Sequence, residues 1–227
     1  MTLAETRGEY FRIRDRCRKG LLKYLAGVCD LFPEGRDREI LDLGCGTGVP
    51  TIWVAEHLQG NIIALDPDRD ALDWLALKCL DAGLSKRIIT VCSSFSDHDF
   101  EKKQFDIIIA EGFFNVIGFQ EGFSQVIRLL KPGGYMIIHD DSSGREAKKE
   151  LFDSNGCNLL RSILLDEKAW WNDYYRRLED EINSPGNSRL RSYFQGDIAE
   201  IELYKNDPSQ FTSVYYLIRK GSEIDTL

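Results

Sequence analysis

Residues 40–48 read ILDLGCGTG, an apolar stretch that runs directly into three glycines at alternate positions. Ile40, Leu41 and Leu43 predict a buried strand, because a parallel strand covered on both faces is almost continuously apolar. Glycine has no Cβ, so the chain can turn sharply here and a ligand can approach the backbone closely. The stretch therefore predicts a strand, a tight turn and a ligand site at the start of the next helix.

Acidic side chains stand on both sides of this turn in the sequence. Asp42 precedes the first glycine by two residues, and Asp66 ends a second apolar stretch, 61–65. A carboxylate at the tip of a neighbouring strand can accept hydrogen bonds from both hydroxyls of a ribose. Val49 stands where the dinucleotide fingerprint GxGxxG would require a glycine. The pattern favours a ribose-containing ligand and argues against a nicotinamide oxidoreductase.

Predicted strands and helices alternate along most of the chain. This alternation indicates a parallel sheet covered on both faces, with a ligand at the carboxyl ends of its first strands. The pattern predicts strands at 40–43, 61–65, 88–92, 105–110, 135–139, 158–165 and 212–219, and helices at 2–30, 49–58, 68–82, 122–130, 146–152, 166–182 and 197–204.

The segment 40–140 resembles the class I methyltransferases that use S-adenosylmethionine. Four motifs match in order: ILDLGCGTG, IIALDPD at 62–68, FDIIIAEG at 105–112 and LLKPGGYMIIHD at 129–140. The resemblance implies an α/β fold with a Rossmann-like, doubly wound sheet of seven strands. That sheet would be mostly parallel, with the last strand antiparallel.

We expect residues 1–227 to form a single methyltransferase domain. It would comprise a helical N-terminal cap (1–35), a cofactor-binding core (36–141) and a C-terminal part of the sheet (142–227). A helical insertion at 166–210 would separate the last two strands. An interruption of roughly 45 residues is much longer than a hairpin loop and is usually functional.

The resemblance also implies which residues hold S-adenosylmethionine and its product, S-adenosylhomocysteine. The glycine turn would pack against the methionine and ribose parts, and Asp66 would hold the ribose hydroxyls. Ser94 stands where the family often has an aspartate facing the adenine; its hydroxyl can accept a hydrogen bond while Phe95 stacks on the ring, and Asp97 is the alternative. The predicted cofactor-binding residues are Asp42, Gly44, Cys45, Gly46, Gly48, Asp66, Pro67, Ser94, Phe95 and Glu111.

The candidate catalytic residues, His139 and Glu111, lie at the ends of two predicted strands. The cofactor already activates its methyl group, so the protein must mainly align the acceptor, and a base is needed only for a protonated acceptor. The structural alternatives are a core histidine and a carboxylate that contacts the amino group of the cofactor. Asp140 and Asp141 could bind a divalent cation, but such aspartates are common in loops without metal, so we predict no metal.

The insertion is rich in aromatic side chains, and two i,i+4 pairs fall on adjacent faces of one predicted helix. Packing within the protein is the simpler interpretation. The alternative is a lid, formed with the N-terminal helix, whose aromatic side chains line an acceptor pocket. The candidate acceptor-binding residues are Tyr10, Arg14, His139, Trp170, Trp171, Tyr174 and Tyr175.

The net charge and one missing motif indicate which class of methyl acceptor the protein uses. The net charge of −8 repels polyanions, and the sequence lacks the N/D-P-P-Y/F tetrad that resembling nucleic-acid amino methylases use. We therefore predict a methyltransferase that acts on a small molecule. The alternatives are a methyltransferase acting on protein or RNA, which arginines at 12, 14, 16 and 18 would favour, and a non-catalytic cofactor-binding scaffold or regulatory subunit.

The beginning of the sequence is polar, and no apolar stretch reaches the ~18 residues that a membrane span needs. These features lead us to expect a cytoplasmic protein without membrane association, either a monomer or a homodimer.

Overall fold

A computed structural model of the protein describes residues 3–33 and 37–222. The chain divides into two compact units: a sheet unit, Tyr24–Leu164 with Ser213–Leu227, and a helical unit, Met1–Lys23 with Leu165–Thr212. The predicted insertion at 166–210 lies in the second segment of the helical unit. The predicted boundary at 35–36 and the outer limits at 1 and 227 lie outside the described residues.

The sheet unit contains the predicted seven-stranded, Rossmann-like sheet, in the order β3-β2-β1-β4-β5-β7-β6. Strands β1 to β5 pair in parallel, whereas β7 runs antiparallel to β5, which confirms the predicted fold class. The strands are β1 (Glu39–Leu43), β2 (Asn61–Asp66), β3 (Ile88–Cys92), β4 (Phe105–Glu111), β5 (Leu130–Asp141), β6 (Cys157–Leu165) and β7 (Ser213–Lys220).

The helices follow the predicted alternation. They are α1 (Leu3–Arg18), α2 (Leu22–Cys29), α3 (Val49–His57), α4 (Arg69–Asp81), α5 (Phe114–Ile117), α6 (Phe119–Val126), α7 (Arg145–Ser154), α8 (Glu167–Trp170), α9 (Arg176–Asn183) and α10 (Gln195–Asn206). In the described part of the chain, no helix combines the length and the apolar character needed to span a bilayer.

The segment between β4 and β5 differs from the prediction. A helix at 122–130 followed by a strand at 135–139 was predicted, but α6 ends at Val126 and β5 already begins at Leu130. Gly118, with a φ of +83°, separates α5 from α6. Leu130 pairs with Phe105 ahead of a register shift in β4, so the LKPGG motif belongs to the sheet rather than to the helix end.

The helical unit departs from regular α-helix at two places that contact each other. A 3₁₀ turn, Lys19–Leu21, separates α1 from α2, and a π-helical turn, Trp171–Tyr175, joins α8 to α9. A Cβ on Gly20 would lie 2.0 Å from the carbonyl oxygen of Asp173. Only glycine permits this approach, and each break interrupts a helix that the sequence pattern predicts as continuous.

Arg87 secures the start of the sheet by capping the end of α3. Its guanidinium donates to the carbonyl oxygens of Ala55 (2.6 Å), Leu58 (2.6 Å) and Gly60 (2.9 Å). We expect Arg87→Ala to lower the free energy of unfolding by about 2 kcal/mol, because hydrogen bonds from charged donors are the stronger ones. Urea unfolding, followed by tryptophan fluorescence, measures this loss.

Lys86→Ala is the matched control, because Lys86 precedes Arg87 and its side chain is exposed. The control should change the free energy of unfolding by less than about 0.5 kcal/mol. Equal losses in the two variants would contradict the capping role of Arg87.

Candidate functional site

The glycine turn joins β1 to α3 and is fixed to the end of β2. The backbone amides of Gly44 and Cys45 both donate to the carbonyl oxygen of Leu65, at 2.9 and 3.1 Å. Gly44, Gly46 and Gly48 have φ values of +67°, +52° and +73°, which non-glycine residues rarely adopt. A Cβ on Gly46 would have no neighbour within 4 Å, so the turn leaves open space beside its backbone.

Asp66 is held against this turn from two sides. Its Oδ2 accepts a hydrogen bond from the Gly46 amide and its Oδ1 accepts one from the Asp68 amide, both at 2.8 Å. The carboxylate of Asp68 in turn caps α4 by accepting from the amides of Asp70 and Ala71. The orientation of Asp66 is therefore set by backbone donors, which leave further lone pairs on the carboxylate as hydrogen-bond acceptors.

A cavity of about 460 Å³ opens beside Asp66 in the sheet unit. This volume lies in the range of small-molecule sites. Six of the predicted cofactor-binding residues line the cavity, and they are Gly44, Asp66, Pro67, Ser94, Phe95 and Glu111. The wall that follows β4 was not predicted from the sequence; it contains Gly112, Phe113, Val116, Ile117, Gly122 and Gln125.

Serine hydroxyls and an aromatic ring form the part of the cavity next to β3. Ser93, Ser94 and Ser96 line it, and the Oγ atoms of Ser94 and Ser96 lie 2.9 Å apart. The ring of Phe95 packs edge-on against Phe113 at 5.3 Å. Asp97, the alternative adenine contact, is not among the cavity-lining residues.

Two predicted cofactor-binding residues, Asp42 and Cys45, make contacts within the protein and do not line the cavity. Asp42 is 2% exposed, and its Oδ2 accepts a hydrogen bond from the Thr51 hydroxyl at 2.6 Å, which ties β1 to α3. Cys45 is buried, and its carbonyl oxygen accepts from the Gly48 amide at 2.8 Å. Together with Gly46 and Gly48, these residues shape the turn without lining the cavity.

Glu111 and His139, the candidate catalytic residues, lie on neighbouring strands and meet around Tyr215. The Tyr215 hydroxyl donates to Oε1 of Glu111 at 2.9 Å, and its ring stacks on His139 with centroids 4.0 Å apart. His139 is 5% exposed, its Nε2 lies 2.8 Å from the Ser213 hydroxyl, and it does not line the cavity. Glu111 faces the cavity, whereas the catalytic role of His139 stays a prediction.

The charge of Glu111 also influences α2. Burial, reinforced by the negative charge of Glu111, raises the pKa of the Cys29 thiol to about 12. Cys29 therefore stays a neutral thiol at physiological pH beside this end of the site.

Asp140 and Asp141 hold an ammonium group. Nζ of Lys148 lies 2.5 Å from Oδ2 of Asp140 and 2.7 Å from the carbonyl oxygen of Asp141. Within residues 3–33 and 37–222, no group of three or more His, Cys, Asp or Glu residues is arranged to hold a metal ion.

The other predicted acceptor residues belong to the helical unit, where they contact one another and Asp197. Oδ2 of Asp197 accepts from the Tyr10 hydroxyl at 3.1 Å, and its Oδ1 lies 2.9 Å from Nε of Arg14. Tyr174 and Tyr175 are buried, and the Tyr175 hydroxyl donates to Glu200 at 2.8 Å. These contacts stabilise the helical unit.

Both tryptophans of the candidate acceptor set pack against tyrosines in the same unit. Trp170 stacks on Tyr175 at 5.6 Å, and Trp171 stacks on Tyr204 at 5.4 Å. Both tryptophans remain partly exposed. Acceptor binding by this set stays a prediction.

Comparisons with known proteins agree with this site. Residues 40–134 match the family model described as a methyltransferase domain. The 24-methylenesterol C-methyltransferase 2 of Oryza sativa subsp. japonica is 28% identical over 114 residues, which cover 50% of this chain and 31% of the relative. The ubiquinone/menaquinone biosynthesis C-methyltransferase UbiE of Wigglesworthia glossinidia brevipalpis is 31% identical over 121 residues, which cover 52% of this chain and 48% of the relative.

Among solved structures, the cyclase SpnF superimposes with a TM-score of 0.71 at 18% identity, covering 91% of this chain and 82% of that one. This likeness shows the fold alone. The chain spans about a third to a half of the length of the two curated relatives, 31% and 48%.

The sheet order and the antiparallel last strand define a Rossmann-like fold, with a cavity at the carboxyl ends of β1, β2 and β4. Within that fold, the glycine turn and its acidic partner Asp66 lie in residues 40–134, the segment that matches the methyltransferase-domain model. The family resemblance seen in the sequence is confirmed.

Proposed function

We propose that this chain transfers a methyl group from S-adenosylmethionine to a small molecule. The observation that carries the proposal is the cavity beside the glycine turn, with carboxylates from β2 and β4 in its wall. Such a cavity suits a ligand that combines a ribose with a positively charged group.

The residues around the cavity fit this cofactor. The glycine turn leaves room for a ligand against the backbone, and Asp66 is already oriented by two amide donors. Phe95 and the serine hydroxyls offer an apolar ring and neutral hydrogen-bonding groups for a purine. Gly44, Asp66, Pro67, Ser94, Phe95 and Glu111 would therefore hold S-adenosylmethionine.

When bound, S-adenosylmethionine supplies a methyl group that its sulfonium charge already activates. The residues of the chain then have to hold the two reactants in line and to exclude water. Holding reactants in the correct geometry can lower an activation barrier by on the order of 7–11 kcal/mol. Of the two predicted catalytic residues, Glu111 lines the cavity, where its carboxylate is suited to contact the amino group of the cofactor. His139 does not line the cavity, so any effect of His139 on the reaction would pass through the residues that it contacts, Ser213 and Tyr215.

Two features support a small-molecule acceptor. The names of the two relatives refer to a methylenesterol and to ubiquinone/menaquinone biosynthesis. In addition, Arg14 and Arg16 are paired with Asp197 and Glu181 of their own unit. These pairs weaken the alternative of an RNA substrate, because the phosphates of RNA are bound by available basic side chains.

A second candidate is a protein that binds the cofactor without catalysis. The burial of Tyr174 and Tyr175, at 3% and 1% exposure, favours it, because buried aromatic side chains are not available to line an acceptor pocket. A fold alone does not decide between the two functions.

Binding of S-adenosylhomocysteine by titration calorimetry tests the proposal. We expect wild-type protein to bind, and Asp66→Ala to weaken binding by about tenfold or more, equivalent to ~1.4 kcal/mol. Asp73→Ala removes an exposed carboxylate from the neighbouring helix α4 and should leave the affinity unchanged. NADH should not bind.

Absence of S-adenosylhomocysteine binding by folded protein would overturn the proposal. If binding is present, wild-type protein should transfer a labelled methyl group to a member of a panel of phenols, quinones and sterols. Tight binding with no transfer to small molecules, peptides or RNA would favour the non-catalytic candidate.

A further inference from the structure

Two carboxylates flank the glycine turn at the same height in the sheet. Leu43, the last residue of β1, pairs with Leu65 on one side and with Ala110 on the other. Asp66 and Glu111 each follow directly after these partners. Adjacent strands are about 4.8 Å apart, so the backbones of the two residues are separated by about 10 Å across β1.

The surroundings of the two carboxylates differ in a way that assigns the ends of a ligand. Asp66 lies beside β3, whose following serines and Phe95 suit a nucleoside. Glu111 lies on the opposite side of the turn, next to β5. A ligand whose ribose is held by Asp66 therefore directs its other end toward Glu111.

Tyr215 fixes the direction of the Glu111 carboxylate. Glu111, His139 and Tyr215 stand in register on the adjacent strands β4, β5 and β7. Tyr215 is 1% exposed and its ring is held against His139, so its hydroxyl delivers a hydrogen bond to Glu111 from a fixed position. A hydrogen bond donated to a carboxylate is charge-assisted and restricts its orientation.

We propose that Tyr215 is a positioning residue that orients Glu111 to bind the ammonium group at the amino-acid end of the cofactor. This inference rests on the proposed function, because it takes S-adenosylmethionine as the ligand of the cavity. Under this proposal, β7, the strand that follows the helical insertion, contributes to cofactor binding through Tyr215.

Two ligands that differ at the amino-acid end test the proposal by titration calorimetry. S-adenosylhomocysteine carries the ammonium group, whereas 5′-methylthioadenosine keeps the adenine, the ribose and the sulfur but lacks the amino-acid part. We expect Tyr215→Phe to weaken S-adenosylhomocysteine binding by about tenfold, as loss of a hydrogen bond to a charged group predicts. Its affinity for 5′-methylthioadenosine should change by less than about twofold.

Tyr216→Phe is the matched control. Tyr216 is the next residue of β7, is fully buried, and its hydroxyl has no hydrogen-bond partner among the described residues. The same chemical change at this position should leave the affinity for both ligands unchanged. Thermal unfolding of both variants establishes that each is folded at the temperature of the titration.

A double-mutant cycle identifies the partner. Glu111→Gln should also weaken S-adenosylhomocysteine selectively, and Tyr215→Phe should have almost no further effect in the Glu111→Gln background, because the two residues act as one unit. Additive losses would overturn the proposal.

The other outcomes are equally decisive. If Tyr215→Phe weakens both ligands equally, Tyr215 has only a structural role and the inference fails while the proposed function stands. If wild-type protein binds neither ligand, the proposed function itself fails. Selective weakening of S-adenosylhomocysteine in Tyr215→Phe but not in Tyr216→Phe supports the inference.

Discussion

Replacing Asp197 with alanine should lower the free energy of unfolding by about 1.5–3 kcal/mol, because it removes hydrogen bonds to a charged group and leaves the guanidinium of Arg14 without its counter-charge. Asp197 is 4% exposed and lies in the first turn of α10, where a carboxylate also interacts favourably with the helix dipole. One of its oxygens accepts from the Tyr10 hydroxyl and the other pairs with Arg14. Urea unfolding of the whole chain, followed by circular dichroism, measures the loss.

The burial that makes this pair costly to break also shifts the titration of its members. Desolvation raises the pKa of Asp197, which the charge of Arg14 only partly offsets. Burial likewise raises the pKa of Tyr10 to about 12, so its hydroxyl remains a donor at neutral pH. Arg14 is therefore the charge that opposes the rise in the pKa of Asp197.

Two further variants separate the charge from the hydrogen bond. Asp197→Asn keeps an oxygen that can accept from Tyr10 but removes the charge, so its loss should be smaller than that of Asp197→Ala. Asp180→Ala removes an exposed aspartate of α9 and should change the free energy of unfolding by less than about 0.5 kcal/mol. If Asp197→Ala proves no more damaging than Asp180→Ala, the pair does not stabilise the helical unit.

The sheet, and the cavity residues that directly follow its strands, are predictable from the sequence because they depend on local patterns. Continuous apolar stretches mark buried parallel strands, and parallel strands bring their carboxyl ends to one edge. Asp66 and Glu111 could therefore be assigned to one site from their positions after two such strands. Gly44 could be assigned there because of the turn that it permits.

Tyr215 could not be found in this way, because its role depends on the register between β5 and β7. Those strands are separated by the helical insertion, and their pairing is antiparallel. In the segment TSVYYLIR, nothing distinguishes Tyr215 from Tyr216 except which face of the sheet each one occupies. A shift of one residue in register would exchange their environments.

Three features of the helical unit also could not be predicted from the sequence. The sequence predicts an unbroken helix at 166–182, whereas the structure contains a π-helical turn at Trp171–Tyr175 within that stretch. The close approach of Gly20 to Asp173 likewise depends on tertiary packing. The contacts of Tyr10 and Arg14 with Asp197 could not be predicted either, because Asp197 lies more than 180 residues further along the chain.

Lys148→Met should lower the free energy of unfolding at neutral pH by about 3–5 kcal/mol, because it leaves the buried carboxylate of Asp140 without a cation. The two side chains are 9% and 2% exposed, and Nζ of Lys148 also lies 4.8 Å from the ring centroid of Phe119. Methionine keeps the apolar contact with Phe119 but not the charge. Urea unfolding at a series of pH values, with wild-type protein alongside, measures the loss.

The loss should depend on pH in a defined direction. Burial already raises the pKa of Asp140, and Lys148 acts against that rise, so removing Lys148 raises the pKa further. Below the ordinary aspartate value of about 3.9, Asp140 is protonated in both the folded and the unfolded states. Above that value the folded variant binds more protons than the unfolded chain, so its stability falls as pH increases.

The difference in the free energy of unfolding between wild-type protein and Lys148→Met should therefore be small near the ordinary aspartate pKa of about 3.9. The difference should grow as the pH rises toward neutrality. Asp140→Asn, introduced into the Lys148→Met background, removes the charge that causes the penalty. The double variant should recover most of the lost stability and should lose the pH dependence, because a neutral buried pair avoids the uncompensated charge. A penalty that is the same at every pH, or that Asp140→Asn fails to relieve, would show that Lys148 stabilises the sheet unit through packing and not through Asp140.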